Sequence, residues 1–151
     1  MTGVQTCALP IWNHAAAEVV RDDRHPKLKI ITHHLGGGMI PFFDGRIGPG
    51  MEVLGARTIE EDHTKVLSSL KRPHLEYFKE FYADTAMFGG RYGLPCGIEF
   101  FGADRVVFAT DAPLAPIPAH IKALDEIGLD PEIRRKIMVG NAERLMKMRF
   151  D

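Results

Sequence analysis

Three short apolar runs divide this chain, and each ends on residues able to carry chemistry: LKIITHH over 28–34, FYADTA over 81–86 and RVVFATDAP over 105–113. They read as strands at 28–33, 81–86 and 105–110, the first a short apolar, β-branched run of the buried kind and the third the clearest. The intervals between them read as helical. Residues 12–22, WNHAAAEVVRD, place Ala, Glu and Val at helical spacing, and His25-Pro26 closes that helix. MIPFFDGRI, 39–47, reads as a helix start with Pro41 in its first turn. Thr58-Ile59-Glu60-Glu61 resembles a capping signal and predicts a helix over about 58–70. Further helices are expected at 73–79, 93–102, 117–127 and 131–149, the last with Gly140-Asn141 as an internal break or cap. The order α-β-α-β-α-β-α-α makes the chain α/β, built of right-handed parallel βα units.

Two architectures fit that order, part of a (β/α)₈ barrel or a small doubly wound sheet. Length bears on the first. The chain has 151 residues, whereas a whole barrel takes about 200–250, so barrel motifs here imply part of one. Hydrophobic residues make up 45% and charged residues 26%. That excludes disorder, collagen and coiled coil. A net charge of -1 gives no pull toward nucleic acid or anionic membrane, and no run of 18 apolar residues exists to span a bilayer. Cys7 and Cys96 form neither a disulfide framework nor a zinc knuckle, which points to a reducing cytoplasm. Residues 1–11, MTGVQTCALPI, lack the basic and apolar regions of a signal peptide and show no amphipathic period. They read as a non-native N-terminus of translated adapter sequence, leaving 12–151 as the native part.

In either architecture chemistry gathers at the C-terminal ends of the strands. That rule singles out His33-His34, Asp84-Thr85 and Asp111. The HHLGGG segment supports three readings: metal-binding or acid/base histidines before an open glycine loop, histidines capping a strand end at a tight turn, or a phosphate cradle. The last lacks both the GxGxxG spacing and a Walker lysine. Asp111 in ATDAP is either a carboxylate paired with a metal, a histidine or helix amides, or the N-cap of the helix after Pro113. Asp84 reads first as a structural aspartate bonding the loop backbone. Arg46 is a surface arginine or a fork for a substrate carboxylate. His14, His25, His63, His74 and His120 read as ordinary.

Together, LKIITHHLGGGMIPFFDGRI, FYADTA and GADRVVFATDAP, followed by the GNAERLMKM tail, resemble the metal-dependent amidohydrolase superfamily over about residues 12–150. The branch they resemble is the aminocarboxymuconate-semialdehyde decarboxylase-like, or amidohydrolase-related, one. The resemblance implies the C-terminal portion of a TIM-type (β/α)₈ barrel, with these as strands six to eight. It implies His34 as a catalytic acid/base or metal ligand, Asp111 as a metal ligand that also handles protons, and Arg46 as a substrate-carboxylate binder, sometimes serving the neighbouring subunit. One extra residue separates His34 from Pro41 relative to the commonest family pattern, which keeps His33 as the lesser candidate. The family's first-strand motif, a His or Glu one residue from a His, and its histidine after strand five have no counterpart ahead of residue 28.

The resemblance further implies a divalent metal, zinc first and manganese also suited to His and Asp donors. A catalytic zinc takes three protein ligands plus water, and this chain offers Asp111 and His34. The isolated chain is therefore expected to bind metal poorly and turn nothing over, the full-length parent being the enzyme. The expected reaction is non-oxidative decarboxylation of an aromatic or enoic carboxylic acid. The alternative on the same scaffold is metal-dependent hydrolysis of an ester, lactone or amide. From a different class stands a non-catalytic α/β binding domain. The expected partners are a small carboxylate substrate and, for the parent, further copies of itself in a homodimer or larger oligomer, with no nucleic acid and no membrane.

Overall fold

The computed structural model describes residues 29–37, 40–50, 68 and 70–150. The N-terminal stretch 1–11, the expected helix at 12–22 and nearly all of the one at 58–70 lie outside the described residues. The chain divides into two compact units, Met1–Leu28 with Phe43–Phe78, and Lys29–Phe42 with Lys79–Asp151.

The second unit holds the sheet. Strands β1 (Ile31–Thr32), β2 (Tyr82–Asp84) and β3 (Val106–Val107) lie in the order β1-β2-β3, every pairing parallel. Ile31 registers with Tyr82 and Thr32 with Ala83; on the other side Ala83 registers with Val106 and Asp84 with Val107. The paired segments are shorter than the apolar runs that predict them. β2 is paired on both sides and buried throughout, while β1 and β3 pair only where they face it. Beyond β3 the side chain of Thr85 takes over the ladder: its Oγ1 donates to the Ala109 carbonyl and accepts from the Ala109 N–H, both at 3.1 Å. Those bonds hold the ATD segment beside the end of β2.

The two longest described helices of this unit each bury a set of their residues. Helix α3 (Gly93–Phe101) turns Leu94, Gly97 and Phe101 inward. Helix α4 (Ile117–Glu126) buries His120, Ala123 and Leu124. Helix α5 (Pro131–Arg135) starts as expected at Pro131, capped by the Asp130 carboxylate accepting the Glu132 N–H at 2.8 Å. The expected helix over 131–149 then departs from regularity, through a π-helical turn at Lys136–Gly140 before α6 (Asn141–Met146).

The cause is Asn141, which is fully buried and donates from Nδ2 to the carbonyls of Ala103 and Val106, both at 2.7 Å. One turn earlier the Ile137 carbonyl accepts the Phe108 N–H at 3.0 Å. Docking onto β3 at both points widens the intervening turn. Asn141→Ala leaves two carbonyls without their donor and is expected to cost about 2–3 kcal/mol. The readout is a lower urea midpoint at unchanged slope; an unchanged midpoint contradicts this account of the turn.

The first unit contributes α1 (Asp44–Ile47) and α2 (His74–Phe78). Pro41 lies ahead of α1 rather than in its first turn, because the helix is opened by Phe43, whose carbonyl accepts from Arg46 and Ile47 at 2.7 and 3.0 Å. His74 is buried, with Nε2 against the Ile47 and Gly48 carbonyls. It ties the two helices together, as a structural histidine does.

Candidate active site

At the end of β1 the backbone enters a left-handed turn. His34, Leu35, Gly36 and Gly37 have φ of 51°, 51°, 77° and 67°, and the Gly37 N–H donates to the His33 carbonyl at 2.6 Å. For residues with a Cβ this conformation costs roughly 1–2 kcal/mol each, so the surroundings must hold His34 and Leu35 in place. Packing holds Leu35. It is 1% exposed and seats on α3 at Gly97, where a Cβ would lie 2.6 Å from Leu35 Cδ1. Gly36 has no room for a side chain either, since a Cβ there would lie 2.9 Å from that of Ile40.

Hydrogen bonds hold His34. Oδ1 of Asp84, at the end of β2, accepts the His34 N–H at 2.8 Å and the Ala86 N–H at 3.0 Å. The Ala86 carbonyl in turn faces Nδ1 of His34. A carbonyl only accepts, so Nδ1 carries a proton, and Nε2 is the ring nitrogen left to face the site. Nε2 stands 3.8 Å from Oδ2 of Asp111.

Asp111 follows β3 and is itself left-handed, with φ 59°. Its carbonyl accepts from Leu114 and Ala115 at 2.7 and 3.2 Å, and its carboxylate turns to His34. The N-cap of α4 is Pro116, so the reading of Asp111 as a helix cap gives way to a carboxylate facing a histidine.

The two histidines of the pair diverge. The His33 side chain is 78% exposed, and its Nδ1 lies 3.7 Å from Oδ2 of Asp84. The structure thus brings His34, Asp111 and Asp84 together, with His33 at the margin. Arg46 lies in the other unit, exposed on α1. The reading of Asp84 as an aspartate bonding loop backbone matches its two N–H partners. That one of them is the backbone of His34 was not legible in the sequence.

As a metal centre the pair would supply an imidazole nitrogen and a carboxylate oxygen, 3.8 Å apart. Both are donors that zinc and manganese accept. Among the described residues no group of three or more His, Cys, Asp or Glu could hold an ion, so the pair fits as two ligands of a larger set. Among the described residues, too, no helix is long and apolar enough to cross a membrane.

Comparison with known proteins bears on this arrangement. Residues 5–147 match a family model described as amidohydrolase. The chain is 32% identical over 133 residues to the gamma-resorcylate decarboxylase of Polaromonas sp. (strain JS666 / ATCC BAA-500), a match covering 83% of this chain and 36% of that protein. It is similar in structure to the 2,6-dihydroxybenzoate decarboxylase from Rhizobium, with TM-score 0.69 and 29% identity, covering 89% of this chain and 40% of that one. It is also similar to the dihydroxybenzoic acid decarboxylase from Polaromonas sp. JS666 holding manganese and the inhibitor 2-nitroresorcinol, with TM-score 0.65 and 28% identity, covering 89% and 39%. The chain thus spans little more than a third, 36%, of the curated relatives it matches.

Proposed function

The chain belongs to the amidohydrolase family, and on that premise we propose that it forms strands six to eight of the (β/α)₈ barrel of a metal-dependent decarboxylase. The substrate class is a hydroxylated aromatic carboxylic acid, as the names of its relatives favour. The observation that carries the reading is Nε2 of His34 facing Asp111 across 3.8 Å at the C-terminal end of a parallel sheet, where barrel enzymes do their chemistry.

Asp111 and His34 would hold the divalent ion, together with ligands from outside the described residues. The manganese in the similar Polaromonas structure favours manganese beside zinc. When bound, the ion supplies positive charge that draws in and orients the substrate carboxylate. As the carbon–carboxylate bond breaks, its electron pair stays on the ring carbon. Loaded beforehand with one proton from solvent between Nε2 and the carboxylate, the Asp111–His34 pair passes that proton to the ring carbon as CO₂ leaves, and solvent reloads it. Arg46, whose guanidinium is a fork suited to an anionic group, is the proposed binder of a substrate carboxylate, and the parent is homo-oligomeric and cytoplasmic.

Hydrolysis is the competing reading. The chain is also similar to a structure called a putative amidohydrolase from Staphylococcus aureus, at 27% identity and TM-score 0.66. There a water would attack and Asp111 would take its proton. A whole enzyme carrying this segment, given 2,6-dihydroxybenzoate and its methyl ester, separates the two. We expect CO₂ release from the acid, lost on chelation and restored by Mn²⁺. Ester cleavage without CO₂ release would sink the decarboxylase reading.

A further inference from the structure

We propose that Asp84 is a positioning residue that fixes which ring nitrogen of His34 faces the reaction, and that it acts through hydrogen bonding rather than charge. The proposal rests on the reading of His34 as a working group of the site.

The geometry is a closed circuit. Asp84 Oδ1 accepts from the backbone N–H of His34 at 2.8 Å and from that of Ala86 at 3.0 Å. The Ala86 carbonyl accepts from the His34 ring at Nδ1. One oxygen therefore holds both ends of the bond that orients the imidazole. Asp84 is 8% exposed and closes β2, the strand paired on both sides, so its own position is set by the sheet.

Without that oxygen, the left-handed His34 has no acceptor for its N–H and Ala86 no anchor for its carbonyl. The ring is then free to turn, and Nε2 leaves Asp111. Among the described residues the second oxygen, Oδ2, pairs with the exposed His33 at 3.7 Å, and an ion pair with one partner in solvent is worth little.

Hydrogen bonding and charge predict opposite rankings of two substitutions. Asp84→Asn keeps an oxygen in the Oδ1 place and removes the charge. Asp84→Glu keeps the charge and displaces the oxygen by a methylene. In a whole enzyme carrying this segment we expect Asp84→Ala and Asp84→Glu to lower kcat about 100-fold, the scale of an ångström's misplacement, with KM little changed. Asp84→Asn should stay within about fivefold, since it keeps the positioning bonds.

The second readout is independent of turnover. ¹⁵N spectra of the histidine rings in the 151-residue chain should show His34 protonated at Nδ1 in the unsubstituted protein and in Asp84→Asn, and not in Asp84→Glu. Should Asp84→Ala fail to fold, the Asn and Glu pair carries the test alone. A harmless Glu with a damaging Asn overturns the proposal, as does an unaltered Nδ1–H tautomer in Asp84→Glu. A tautomer that follows Asp84 in a protein that releases no CO₂ supports this role and overturns only the reaction proposed above.

Discussion

Asp111→Asn is expected to lower kcat of a whole enzyme carrying this segment by about 10³–10⁴-fold while leaving its stability nearly unchanged. The substitution is chosen by the backbone. Asp111 sits at φ 59°, and asparagine is the side chain that best tolerates that region after glycine. The amide matches the carboxylate in shape, so the turn that presents residue 111 to His34 survives. What is lost is a negative oxygen able to hold an ion and exchange a proton, 3.8 Å from the imidazole. The measurement is CO₂ release per enzyme at saturating acid, beside a urea melt. A variant that keeps a tenth or more of its activity removes Asp111 from the chemistry. A collapse in stability instead makes it a structural residue.

The second large effect concerns the chain by itself. Alone, the 151-residue protein is expected to release no CO₂ and to hold Mn²⁺ or Zn²⁺ only at roughly millimolar concentration, about -4 kcal/mol. The reason is ligand count: among the described residues His34 and Asp111 are two donors where a catalytic zinc uses three and a water. The described sheet also ends in β1 and β3, and unpaired strand edges invite association. Titration calorimetry reads the affinity directly. Micromolar binding that vanishes in Asp111→Asn would mean that this chain holds a complete site.

The sheet was legible because the strand signal is local. LKIITH, FYADTA and RVVFAT each read as a short strand, and their order with helices between predicts the parallel sheet found. The strand-end rule then put His33-His34, Asp84-Thr85 and Asp111 forward, and the family resemblance chose His34 and Asp111 among them. What stayed hidden depends on contacts distant in sequence. HHLGGG allows a tight turn as readily as a left-handed one. The choice is made by Gly97, whose bare Cα seats Leu35, and by Asp84, which accepts the His34 N–H. Likewise nothing within 131–149 announces a π-turn. It comes from Asn141 reaching back to Ala103 and Val106. The divergence of His33 from His34 follows from the same turn, and is invisible in a sequence that writes them side by side.

If His34 and Asp111 work as one unit, a double-substitution cycle will show it. His34→Asn, Asp111→Asn and the two combined would be compared for CO₂ release from 2,6-dihydroxybenzoate in a whole enzyme carrying this segment, asparagine again being tolerated at His34 with φ 51°. The account predicts a heavy loss in each single variant and a double variant within about threefold of the worse one, the non-additivity of groups that act together. Losses that multiply would show two independent contributions, and a single variant near full activity would remove that residue from the centre; either result contradicts the account.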